Sequence, residues 1–157
     1  MYLRGLGVTK DETEALKWFR KSAERDNAMA QGSLGWMYDK GLGVTKDDAE
    51  ALKWYHKAAE QGDADCMNLY AWLLLTTTNL SLHNDQMALE YARKAVANTE
   101  REKWNKMDTL ALALFQCGNT SQAIKVEKAA IELLPENRPD AKKEFQDRLN
   151  KFEAVQK

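Results

Sequence analysis

At 157 residues the chain is long enough for one domain with its own core, and its 23 Lys and Arg against 24 Asp and Glu leave a formal charge of −1. Balanced charge gives no electrostatic footprint for nucleic acid or an anionic membrane. The longest apolar run, Leu69 to Leu75, falls short of the roughly 20 residues that span a bilayer and suits a buried helix face. No basic segment followed by an apolar one stands at the N-terminus, so no signal peptide is visible.

In chain order, residues 3–10 read as a turn carrying Gly5 and Gly7. Asp11 or Thr9 caps a helix that runs to about Arg25, with Ala15, Leu16, Phe19 and Ala23 at helical spacing. Residues 28–40 form the next helix. Gly32 and Gly35 lie inside it, and an interior Gly costs about 1 kcal/mol relative to Ala. That cost predicts close approach of a neighbouring helix backbone. A turn over 41–46 leads to a helix over 47–61, and Gly62 follows as a left-handed terminator.

Residues 1–27 and 37–63 are near copies. Met1, Tyr2, Gly5, Leu6, Gly7 and Val8-Thr9-Lys10-Asp11 return as Met37, Tyr38, Gly41, Leu42, Gly43 and Val44-Thr45-Lys46-Asp47. Glu14-Ala15-Leu16-Lys17-Trp18 returns as Glu50-Ala51-Leu52-Lys53-Trp54 at the same 36-residue offset. Repetition at this period predicts a solenoid, in which each unit buries its apolar face only against a neighbour. The chain begins inside a unit, as a piece of a longer protein or as a natural half-unit. Either origin leaves Leu16, Phe19 and Ala23 without their usual partner, which predicts self-association or a further repeat upstream.

From Asp63 to about Thr77 a third unit keeps the register through Ala64, Cys66, Leu69, Ala71, Trp72 and Leu73. The connection Thr76–His83 then loses the glycines and is one residue longer. The second helix resumes at Asp85. A fourth, more compact unit follows over 101–135. It carries Trp104, Met107, Leu110, Ala111 and Leu114 on one face, a turn at Gly118-Asn119, and Pro135 at its end. The last segment opens with Asn137 as a cap and Pro139 in the first turn. Phe145, Leu149 and Phe152 make one apolar stripe with a charged back, which predicts a capping helix over 138–156.

Little in the sequence carries chemistry. His56 and His83 are expected at the surface, and no H-x-x-x-H or C-x-x-C spacing suggests a metal. Cys66 takes the small buried register position of Ala30, while Cys117 lies at the far end of the next first helix. The two are then about 20 Å apart, beyond disulfide reach, so free thiols are expected. The Gly-Leu-Gly pairs recur in repeat turns with no phosphate-binding arrangement and read as structural. No set of nucleophile, base and oxyanion donors can be assembled, so no enzyme and no cofactor are expected.

The string Leu34-Gly35-Trp36-Met37-Tyr38, then Gly41-Leu42-Gly43-Val44, Ala51-Leu52-Lys53-Trp54-Tyr55 and Lys57-Ala58-Ala59-Glu60-Gln61-Gly62-Asp63, closely resembles the Sel1-like repeat family. Residues 104–135 look more like a tetratricopeptide repeat through Leu110, Ala111, Gly118, Ala123, Ala130 and Pro135. The resemblance implies an all-α, right-handed superhelix of antiparallel helix pairs whose first helices line a concave surface. One repeat domain then comprises a partial repeat (1–27), a full repeat (28–63), a divergent repeat (64–100), a tetratricopeptide-like repeat (101–135) and the capping helix (136–157). Family members are usually adaptors or scaffolds, and bacterial relatives include host-interacting proteins and immunity proteins. No catalytic residues are implied.

Mapped onto that geometry, the concave positions of the complete unit are Met29, Gly32, Trp36, Asp39 and Lys40. Their equivalents are Asp65, Asn68, Trp72, Leu75 and Thr76, then Asn105, Asp108, Leu112, Phe115 and Gln116. Trp36 and Trp72 either fill space between units or anchor a partner, and one Trp can do both. The expected function is a non-catalytic module that binds a protein or peptide on this face. The alternative is an inhibitor or immunity-type protein that blocks a toxin or enzyme. The lack of cysteine pairs favours a reducing compartment and the cytoplasm, with a periplasmic or secreted setting open if the chain is a mature fragment.

Overall fold

The computed structural model describes residues 11–99 and 103–156. The expected turn at Gly5 and Gly7 lies outside them. Eight helices follow in order: α1 (Glu12–Ala23), α2 (Ala28–Lys40), α3 (Asp48–Glu60), α4 (Ala64–Thr76), α5 (Asp85–Ala97), α6 (Lys103–Gln116), α7 (Thr120–Leu133) and α8 (Pro139–Gln156). Each packs on the next, and α4 also packs on α6, so the described residues form an all-helical solenoid without strands.

Local chemistry sets the boundaries. Asp11, Asn27, Asp47, Asp63 and Asn84 each accept a backbone N–H from the first turn of the following helix. Of the two residues expected at the start of α1, Asp11 is the cap. At the last helix the Lys142 N–H returns to the Arg138 carbonyl, which places Arg138 rather than Asn137 at the cap position. The turn 77–84 replaces glycine with side chains. Thr77 Oγ1 accepts the Asn79 N–H at 3.2 Å, and Asn79 Oδ1 accepts from the Ser81 N–H at 3.1 Å and its hydroxyl at 2.7 Å.

Within the pairs, small residues recur at fixed register. Gly35, Ala71 and Ala111 are buried on successive first helices. Ala51 and Ala58, Ala88 and Ala95, and Ala123 and Ala130 are fully buried on the second helices. The glycines of α2 serve neighbouring side chains rather than a backbone. A Cβ at Gly35 would lie 2.7 Å from the Tyr55 ring, and one at Gly32 would lie 2.6 Å from Cys66 Sγ. Buried Gln31 links three helices: its amide donates to the Ala23 carbonyl at the end of α1, and its oxygen accepts from Gln61 at 2.8 Å.

The first unit differs from the expectation. Ala15 and Ala23 are buried, and Leu16 and Phe19 are half-buried against the core. The open residue is Trp18, 56% exposed where its register equivalent Trp54 is 7% exposed.

The array closes with α8. Phe145, Leu149 and Phe152 are buried, Phe152 stacks on Phe115 at 4.4 Å, and Phe145 lies 6.0 Å from Trp104. The polar side of the same contact is an ion pair. Arg148 donates to Asp108 Oδ2 at 2.9 Å and to Glu144 at 3.0 Å. Behind Asp108 stands Glu127 of α7, fully buried, and neither of its oxygens has a partner if it is ionised. Burial and the Asp108 charge push the Glu127 carboxyl well above its ordinary range, and it donates its proton to Asp108. Asp108 is raised too, by burial, against the pull of Arg148. One proton shared by two carboxyls thus leaves a single negative charge to face Arg148.

Two predictions follow from these contacts. Gly43 and Gly62 both have positive φ, but a Cβ at Gly43 would lie 2.5 Å from the Glu12 carbonyl oxygen while one at Gly62 meets nothing within 4 Å. In urea denaturation Gly62→Ala is expected to cost about 1 kcal/mol and Gly43→Ala at least about 3 kcal/mol. Equal losses would mean that close approach does not explain Gly43. For Glu127, the folded chain holds a proton that the unfolded chain releases above its ordinary pKa of 4.5. Stability therefore falls as pH rises from there until the buried proton is lost. Glu127→Gln keeps the donor without the titration. It should match the wild type near pH 5 and melt about 2–6 °C above it at pH 8.5. Parallel melting curves across that range would refute the shared proton.

Candidate functional site

The positions mapped as concave lie on the first helices α2, α4 and α6, and the two ends of that row differ. At the α2 end, Met29 is 79% exposed and Trp36 is 38% exposed. Asp39, three residues after Trp36, is half-buried and pairs with Lys40 at 2.7 Å. Beneath it, the fully buried Tyr55 has no partner for its hydroxyl, and burial, with Asp39 adding to it, pushes that phenol up.

On α4, Asp65 is exposed and accepts from Lys106 Nζ at 2.5 Å. Lys106 is itself buried, so the pair fastens α6 to α4 with only one side wet. Asn68 is half-buried, and its Oδ1 is enclosed without a partner. Trp72 is half-buried under the Arg148 guanidinium, 5.4 Å from its ring centroid. Leu75, expected on the open side, is 4% exposed and belongs to the core.

At the α6 end the face is covered. Asn105 is half-buried beside Lys106, and Asp108 is buried under Arg148. Leu112 and Phe115 are half-buried and line a cleft of about 460 Å³ with Arg148 and Phe152 of α8. The carboxylates Asp39, Asp65 and Asp108 therefore each carry a cation of the same chain: Lys40, Lys106 and Arg148. Among the described residues of this row no nucleophile has a base beside it. Among the described residues no group of three or more His, Cys, Asp or Glu side chains could hold a metal ion.

The histidines are less exposed than their register suggests. His56 is half-buried on α3, with ring contacts to Tyr70 and Tyr91. Tyr91 donates to Glu60 at 2.6 Å, so the 2.8 Å contact between its oxygen and His56 requires the histidine Nε2–H to donate. That bond from Tyr91 holds the Glu60 carboxyl below its usual range. His83 is half-buried and pairs with Asp85 at 2.8 Å. Cys66 is buried and unpaired, its thiol pushed up by burial, and Cys117 is half-buried and unpaired.

Sequence reasoning missed Arg148, Lys106 and Glu127. Two of them had a signal. Lys106 occupies the register position of Ala30 and Cys66, and Glu127 that of Tyr55, so each places charge where the repeat calls for a buried residue. Arg148 had none, because α8 lies outside the repeat.

Comparison with known proteins agrees with this geometry. The model of the Sel1 repeat matches residues 1–27, 28–63 and 64–99. A Sel1 repeat protein from Oxalobacter formigenes, known from a crystal structure, is 32% identical with a TM-score of 0.66, over 83% of this chain and 54% of its own. The crystal structure of c5321, a protective antigen present in uropathogenic Escherichia coli strains and displaying an SLR fold, is 30% identical with a TM-score of 0.72. That match covers 83% of this chain and 28% of the antigen. The chain thus spans about half of one relative and about a quarter of the other. A search of curated proteins gave no match. With the repeat model covering more than half of its residues, the chain belongs to the Sel1 repeat family.

Proposed function

We propose that the chain is a non-catalytic interaction module that binds a protein or peptide on its concave face, at the end formed by α2 and α4. Sel1 repeats are a family of protein-interaction repeats, which supports the class of function. The observation that carries the location is Trp36. It is 38% exposed on the same first helix as the 79% exposed Met29, while its equivalent Trp72 is already covered by the chain's own Arg148. A large, rigid, half-exposed aromatic ring is the residue type that dominates binding energy at interfaces. The proposed contact set is Met29, Trp36, Asp39, Asp65, Asn68 and Trp72. Leu75, Asn105, Asp108, Leu112 and Phe115 act by shaping the face and holding α8.

Capture of partners from the native host tests this reading. Trp36→Ala should weaken the captured complex at least about 30-fold, the equivalent of roughly 2 kcal/mol at an anchor residue. Val155→Ala, on an exposed position of α8, should leave it unchanged. Full capture by a Trp36→Ala protein of unaltered melting temperature would remove the groove from the account.

A further inference from the structure

We infer that the open end of the concave face, at Trp36, Asp39 and Asn68, receives an arginine side chain of the partner. This rests on the reading of that face as the partner surface and names the chemistry it recognises. The pattern for it is internal. Arg148 lays its guanidinium 5.4 Å from the Trp72 centroid and donates to Asp108 at 2.9 Å, bridging two successive first helices. One unit upstream in register, Trp72 becomes Trp36 and Asp108 becomes Asn68.

The upstream copy keeps the ring and exchanges the carboxylate of the next helix for a carboxamide. It also gains Asp39, three residues beyond Trp36 and on the same helix face, where the downstream unit has the buried Leu75. What it lacks, among the described residues, is a cation over the ring. Among the described residues Asp39 pairs with Lys40, its chain neighbour, whose side chain is 53% exposed. Lys40 is solvated, while the Asp39 carboxylate is 13% exposed, close to the 8% of Asp108 beneath Arg148.

The acceptors suit a guanidinium better than an ammonium. A planar guanidinium stacks on an indole and donates in two directions at once. The Asn68 oxygen is enclosed without a partner. Turning the carboxamide over brings its oxygen to the face and leaves its N–H donors in the enclosed position. The site then offers a ring, one carboxylate and one carbonyl oxygen to a single arginine.

The test uses the full chain and the probe acetyl-Gly-Arg-Gly-amide, with the lysine and citrulline peptides beside it. The readout is the indole N–H signal of Trp36, assigned with Trp36→Phe. The arginine peptide should move that signal saturably with a dissociation constant on the order of millimolar. The neutral citrulline peptide should not move it, and the lysine peptide should bind more weakly. Asp39→Asn should abolish the response, and Asn68→Asp, which restores the carboxylate of the downstream site, should tighten binding about fivefold. Melting curves confirm that each variant is folded, and if Asn68→Asp does not fold, Asp39→Asn alone decides. An unmoved Trp36 signal, an equal response to citrulline, or an Asp39→Asn protein that still responds overturns the inference. If that happens while Trp36→Ala still loses the captured partner, the groove survives and only the arginine assignment falls. If neither effect appears, both fall.

Discussion

Close approach at the small positions is the constraint on which the rest of this structure depends. Gly35, Ala71 and Ala111 on the first helices, and the paired alanines seven apart on the second helices, are buried at the same register in unit after unit. Interaxial distance follows the bulk of the contact side chains. Small residues at fixed positions therefore let the two helices of each pair approach closely in unit after unit. Larger neighbours enter the space so released. The Tyr55 ring and Cys66 Sγ occupy the space that Cβ atoms of Gly35 and Gly32 would need. Because each unit is covered only by its neighbours, the residues left over at the ends and on the concave side are those available for other work.

The two ends of the concave face are used differently. At the downstream end α8 is laid across α6, with Phe152 on Phe115 and Arg148 between Trp72 and Asp108. Burial raises the Glu127 carboxyl, so it and Asp108 together set one charge against Arg148. A second ionised carboxyl there would have no compensating cation, and the desolvation cost would exceed what one arginine returns. At the upstream end Trp36 stays exposed at the same register, and among the described residues Asp39 pairs with the exposed Lys40. One face thus has a covered end and an open one.

Much of the fold was legible in the sequence because the repeat writes it twice. The offset of Trp18 and Trp54, or of the two Gly-Leu-Gly turns, fixes the units, and the Asp and Asn caps fix the helix starts to within a residue. The concave site was legible only in part. Trp36 and Asn68 could be placed from register, but Leu75 could not be told from an open position, since one helical step separates the groove wall from the core. The covering of Asp108, Leu112 and Phe115 was hidden for another reason. It comes from α8, which has no repeat equivalent, so its apolar stripe announces burial without saying which face it covers. The buried Lys106 and Glu127 break the repeat's own rule, and such breaks mark the places where a unit has been given a particular task.

The central claim is that this solenoid meets its partner through the Trp36 end of its concave face. The most direct measurement is site-specific photo-crosslinking in the native host, with a benzophenone amino acid at position 36 and, separately, at the exposed Lys57 on the second helix of the same unit. The account predicts a discrete crosslinked species from position 36 and none from position 57. Crosslinks from position 57 with none from position 36 would contradict it.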